Sequence, residues 1–356
     1  MHFNQYERNM NDQELSGRTN NRLQPEVAKR KRYIYALFMI LLMIGMAEGL
    51  EEKEIIFPEM AALVIGMWIV DKRVWKINRF LLVFLMTINA LVGICIVIFS
   101  PFPLIVNLPL SFLFPAICLI LSRTTLIPQI SACMLPVLLQ TDSWVYPVAV
   151  FIMSLMIVSG QVWMEKQRLR EKIEYIPDQT EKKKRLIKWG LLFISLLIIA
   201  ALPIYASWKY CILPPLVVTY VEFATSKAGF RSRPTQTYLL LVIAATIGTL
   251  FQLAGHLYLG LPESVIACLI FFCLFTLFEW SGKLFAPAGA VALVPMIIPQ
   301  QDLYWFPLQV AIGAAIFISV AMILFQQCYK WQRSQLIVCI IPESIRVHRK
   351  KWSRSE

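Results

Sequence analysis

Apolar residues in this chain are gathered into long runs, and the runs recur from residue 33 to residue 326. The first half carries them at about 33–50, 55–70, 80–99, 104–121, 125–139 and 144–163. The second carries them at about 187–206, 211–225, 237–259, 264–280, 284–298 and 304–326. A helix rises ~1.5 Å per residue, so about 20 apolar residues match the ~30 Å hydrocarbon core of a bilayer. The period-2 alternation of barrel strands is absent from these runs. Apolar residues make up 58% of the chain, against roughly 45–50% in a soluble domain. The expected fold class is an all-α polytopic membrane protein with about twelve transmembrane or half-membrane segments.

The second and fifth runs of each half are short. At 14–16 residues they span about 21–24 Å as helices, less than the hydrocarbon core. They are read either as short crossings or as re-entrant loops, and charge separates the two. If all twelve segments cross and the N-terminus is inside, every Lys and Arg except Lys53 and Lys209 falls on the inner side. Re-entrant segments would move Lys72, Arg73, Lys76, Arg79, Arg123, Lys227, Arg231, Arg233 and Lys283 outside. The positive-inside bias therefore favours twelve crossings. On that reading the net charge of +12 reflects topology and attraction to anionic lipid, and calls for no nucleic-acid partner.

The expected organisation has five parts. Residues 1–32 form a disordered cytoplasmic tail, with no signal-peptide pattern and too many acids for a transit peptide. Residues 33–164 form one membrane repeat and 187–326 a second. A charged inner linker, 165–186, joins them, with 167–175 able to form a surface helix. A basic tail, 327–356, follows. Both termini are expected in the cytoplasm and the protein in a bacterial cell membrane; a homo-oligomer is left open.

The two halves share a pattern. Leu126-Ile127-Pro128-Gln129-Ile130, Leu135-Pro136, Asp142 and Tyr146-Pro147 match Phe285-Ala286-Pro287-Ala288-Gly289, Val294-Pro295, Asp302 and Phe306-Pro307. Phe57-Pro58-Glu59 and Leu213-Pro214-Pro215 match at nearly the same offset. Six crossings per half give the two copies one orientation, hence a parallel repeat. Internal repeats with matched breaks in their helices are the layout of many transporters.

Prolines open the short segments. A residue before proline avoids the α region, and proline is tolerated in a first helical turn. Each short segment is thus expected to enter extended and then turn helical. After Pro287 about 11 residues remain, interrupted by Pro295, which makes a half-helix. Runs 55–70 and 211–225 start outside; 125–139 and 284–298 start inside. Their opposed N-termini would offer unpaired N–H groups and partial positive charge near the midplane, a site for a small anion without a fixed cation. The candidate binding residues are Pro58, Glu59, Pro128, Gln129, Pro214, Pro215, Pro287, Ala288, Gly289 and Ala290. Gly289 would let backbone approach a ligand closely. The alternative is that the prolines are kinks and the small residues are helix-packing contacts.

Glu279 and Lys283, four apart at an inner helix end, form either an interfacial pair or a coupling-ion site. Glu59 is a helix-dipole partner or a functional acid. Thr87, Asn89, Thr246, Thr249 and Gln252 suit interhelical hydrogen bonds, and Asp142 and Asp302 suit helix capping. None of the eight cysteines forms a CxxC pair, and His256 is the one histidine within the apolar part. No metal site, cofactor or enzyme activity is expected.

Pro287-Ala288-Gly289-Ala290-Val291-Ala292-Leu293-Val294-Pro295, followed by a Trp-containing turn, resembles the signature of the HPP family of integral membrane proteins. Pro214-Pro215 and Arg233-Pro234 resemble earlier positions of that family. The likeness covers about 187–326, and 33–163 then looks like a more diverged copy. Phe285 and Ala286 stand where the family has its name-giving His and first Pro. The resemblance implies a small-anion transporter, with nitrite as the implied substrate. The functional expectation is a secondary transporter or permease. The alternative is a membrane scaffold or sensor whose basic linker and tail bind a partner or anionic lipid.

Overall fold

The computed structural model describes residues 25–71, 74–171, 182–225 and 234–329. Most of the expected N-terminal tail, the middle of the linker, the stretch 227–233 and nearly all of the C-terminal tail lie outside these residues. Among the described residues the chain is all helical. In chain order the helices are α1 Pro25–Gly49, α2 Pro58–Val64, α3 Arg79–Phe99, α4 Leu104–Ser122, α5 Gln129–Leu139 and α6 Val145–Lys166. Then follow α7 Lys182–Tyr205, α8 Pro214–Thr225, α9 Pro234–Phe251, α10 Glu263–Ser281, α11 Ala286–Leu293 and α12 Phe306–Tyr329. A single turn, Gln300–Leu303, precedes α12. Eight of the helices are long and apolar enough to cross a membrane.

The boundaries depart from expectation in three places. Residues 25–32 were expected in a disordered tail but form the first turns of α1. Pro25 opens the helix, Glu26 offsets its dipole, and Lys29 and Arg32 are held by acids on other elements. The expected surface helix from Gln167 does not start there: α6 ends at Lys166 and Arg168 is left-handed, φ 55°. Asp142 caps nothing; the N–H of Val145 donates instead to Ser143 Oγ at 3.2 Å.

The helices divide into two layers. In α2, α5, α8 and α11 nearly every residue is buried. The long helices surround them and turn large apolar side chains outward, among them Phe80, Leu121, Ile198 and Phe272. Water disfavours such a surface, whereas lipid does not.

Packing pairs recur in order between the halves. α3 packs on α5 and α6, and α9 on α11 and α12. Across the halves, α4 packs on α7 and α10 on α1, while α5 packs on α8 and α11 on α2. One detail shows how close the inner layer comes. A Cβ on Gly93 would collide with the Cys133 carbonyl and Pro136, and one on Gly248 with the Ala292 carbonyl and Pro295. Bare backbone at each glycine lets a long helix lie against a short one.

Contacts at the connections sort the chain between the two ends of the bundle. At one end, Arg32 near the start of α1 pairs with Asp71, beyond α2, at 2.5 Å. Lys76 N–H donates to Thr125 Oγ1 at 2.7 Å, and Arg185 Nη1 donates to the Ile120 carbonyl at 3.1 Å. At the other end, Glu48 near the end of α1 accepts from the N–H of Glu263 and Ser264, and Lys53 lies 3.9 Å from Glu263. Lys53 also shares a surface recess with Leu139, Thr141 and Ile297. α2, α5 and α11 thus run from one end of the bundle to the other. None leaves by the end at which it entered.

Candidate functional site

The short helices begin as proline chemistry requires. Phe57 (φ −108°, ψ 95°), the residue before Pro58, is extended, and helix starts at Pro58. Phe285 (φ −128°, ψ 102°) is extended two residues before Pro287, helix starts at Ala286, and Pro287 falls in the first turn. Pro214 is the first residue of α8, and Pro128 caps α5. α11 holds α-helical geometry to Leu293 and tightens into a 3₁₀ turn, Val294–Met296, at Pro295. The helical stretch Ala286–Met296 is thus 11 residues long. α2 instead widens into a π-helical turn, Ile65–Ile69, which no local residue signal announced.

The four starts converge. Pro128, Pro215 and Pro287, with Glu59, Ala62, Ala290, Val218 and Trp75, enclose one small cavity. It has room for about one water-sized molecule. The surface it presents is apolar, and Glu59 is the one acidic residue among those that line it. Ser131 on α5 donates to Oε1 of Glu59. Oε2 has no hydrogen-bond partner, and the residue is 1% exposed. Trp75, in the connection after α2, closes another side. Its indole N–H donates to Glu222 Oε1 of α8 at 3.1 Å, and its ring sits over Gly66.

The expected unpaired N–H groups are not what this cavity offers. The N–H groups of Gln129, Ile130, Ser131 and Ala132 bond back to carbonyls of residues 126–128. Those of Leu216 and Val217 bond to Leu213, that of Met60 to Phe57 and that of Ala288 to Phe285. Prolines supply no N–H at all. Tight first turns and prolines together consume the donors that a looser helix start would leave open.

The expected binding residues fall into two groups. Glu59, Pro128, Pro215, Pro287 and Ala290 meet at the cavity. Pro58, Pro214, Ala288, Gly289 and Gln129 are buried but do not line it. A Cβ on Gly289 would strike Ile65 Cδ1, so this glycine admits α2 and not a ligand. Gln129 spans α4 and α5 by donating to the Pro115 carbonyl at 3.1 Å, and it accepts from Asn89 Nδ2 at 3.4 Å. Thr87 and Thr246 bond carbonyls one turn back in their own helices, not other helices.

Glu279 and Lys283 lie apart from this site. Glu279 pairs with Lys29 of α1 at 2.7 Å and accepts from the Tyr33 hydroxyl at 2.5 Å. Asp302, expected as a cap, accepts from the Tyr210 hydroxyl at 3.1 Å. Ala62, Trp75 and Val218 line the cavity and escaped the sequence reading, as did Glu222, which accepts from Trp75. Trp75 sits in a polar connection and gave no signal. Glu222 did: an acid inside the apolar run 211–225 is costly enough to mark a site.

No protein-family model, curated protein or solved structure matches the chain.

Proposed function

We propose that the chain is an integral membrane protein that works as a secondary transporter or permease for a small anion. The observation that carries this reading is the meeting of three proline-led helix starts and one buried carboxyl group at a single cavity in an apolar bundle. Broken helices that meet inside a membrane protein mark solute sites in transporters, because their ends bring dipoles and small backbone surfaces to one point. The matched packing pairs, and the glycine contacts at Gly93 and Gly248, support two parallel six-segment repeats. The end-to-end runs of the short helices support twelve crossings, and the Lys and Arg distribution supports termini on the cytoplasmic side. The resemblance of Pro287–Pro295 to the HPP signature favours nitrite among small anions. The cavity holds little more than one water, so loading an anion requires separation of the inner helices, as alternating access does.

Uptake of nitrite by purified protein in liposomes tests the proposal. Protein-dependent exchange of internal for external nitrite is the expected result. Exchange no faster than in protein-free vesicles, with nitrate and other small anions equally inert, would remove it.

A further inference from the structure

The inner layer holds an acid in the first turn of α2, where it offsets the helix dipole, yet one of its oxygens is idle. Glu59 is buried, lines the cavity, and leaves Oε2 without a partner. Packing alone would be served by an apolar residue, since a buried carboxyl with an idle oxygen is destabilising. Its surroundings offer no compensating charge. On α6 the ionisable neighbour is Tyr146, whose hydroxyl donates to the Ala132 carbonyl. On α5 the neighbours are Ser131, which donates to Oε1, and the buried Cys133 thiol. On α8 it is Glu222, already bonded to Trp75. Residues 39–47 of α1 and all of α11 carry no ionisable side chain. Among the described residues no basic group acts on Glu59.

A small anion and an ionised Glu59 cannot share so small a space, because like charges repel strongly where water is excluded. A neutral carboxyl reverses the sign. Its O–H would be a donor among helix starts whose backbone N–H groups are largely spent. Binding of an anion therefore demands a proton on Glu59, and loss of that proton expels the anion. Resting on the transporter reading, we infer that Glu59 is the proton site that couples anion movement to the proton gradient. One proton and one monovalent anion enter from one side and leave together on the other, so charge balances. Ser131 is a positioning residue: its bond to Oε1 leaves Oε2 as the oxygen free to carry the proton.

Glu59→Gln separates the parts. Glutamine keeps the neutral shape and a donor but cannot release a proton. In proteoliposomes with an alkaline interior, the initial rate of nitrite uptake is measured with the rate of protein-free vesicles subtracted. Wild type is expected to be driven by the gradient, with accumulation approaching about tenfold per pH unit. E59Q is expected to lose the response to the gradient, its uptake rate under the gradient falling to its own rate at symmetric pH. Exchange without any gradient response in wild type, or an undiminished response in E59Q, overturns the inference and leaves the transporter reading intact. No exchange in wild type overturns both.

If E59Q does not fold, the wild type with E222Q as reference carries the test. The infrared C=O band of a protonated carboxyl is expected to persist in E222Q at neutral pH and to shift when nitrite is added. Its absence, or indifference to nitrite, overturns the inference.

Discussion

Ser131 of α5 donates its hydroxyl hydrogen to Glu59 of α2, joining two buried residues on separate inner helices. Their sequence counterparts in the second half are Ala290 and Pro215, and both line the same cavity. The paired hydroxyl and carboxyl both belong to the first half, while residues of both halves line the cavity.

This bond predicts a non-additive pair. Ser131→Ala leaves a second carboxyl oxygen without a donor and is expected to cost about 1–3 kcal/mol. Glu59→Leu combined with Ser131→Ala removes both partners and is expected to be less destabilised than Ser131→Ala alone. Thermal unfolding of the purified variants in detergent checks the order.

Gly93 and Gly248 touch matched carbonyls, of Cys133 and Ala292. Alanine at either position must push a long helix off a short one. Each substitution is expected to destabilise by about 1–3 kcal/mol, and by similar amounts, since the contacts are alike. A neutral result at one position in detergent unfolding would break the matched-packing account.

The Lys29–Glu279 pair sits at the bundle surface, with Glu279 side chain 53% exposed. Exposed pairs contribute less than about 1 kcal/mol after solvent screening. Lys29→Ala and Glu279→Gln are expected to leave stability and nitrite exchange nearly unchanged. A loss of exchange in Glu279→Gln would restore that residue as a coupling candidate.

Lys53 precedes α2 and Asp71 follows it, at opposite ends of the bundle. In a background with native cysteines replaced, cysteine at 53 is expected to react with an impermeant thiol reagent from outside cells, and cysteine at 71 only after permeabilisation. Labelling of both from one side would mean that α2 does not cross.

Much of this architecture was legible in the chain because its causes are local. Apolar run length marked the eight long helices and the short ones between them, and proline rules placed the extended residue Phe57 and the helix start at Pro58. Pro295 marked where α11 tightens. The rest depended on who approaches whom. Gly289 announces that no side chain fits there, but not that Ile65 is the neighbour. The donors expected at the helix starts were lost to 3₁₀ bonds, which depend on the entry angle of each chain rather than on composition. Trp75 reaches the cavity from a connection whose sequence is polar, so its pairing with Glu222 has no local signature. Glu222 itself was readable, as an acid within an apolar run.

The central claim is that solute passes through the cavity framed by Glu59, Pro128, Pro215 and Pro287. Ala290 lines it with a single methyl group. Nitrite exchange by Ala290→Leu in proteoliposomes tests the claim most directly, with thermal unfolding confirming that the variant is folded. Leucine would fill the space, and exchange is expected to fall at least about tenfold while the fold persists. A folded Ala290→Leu protein that exchanges nitrite at the wild-type rate would contradict the account.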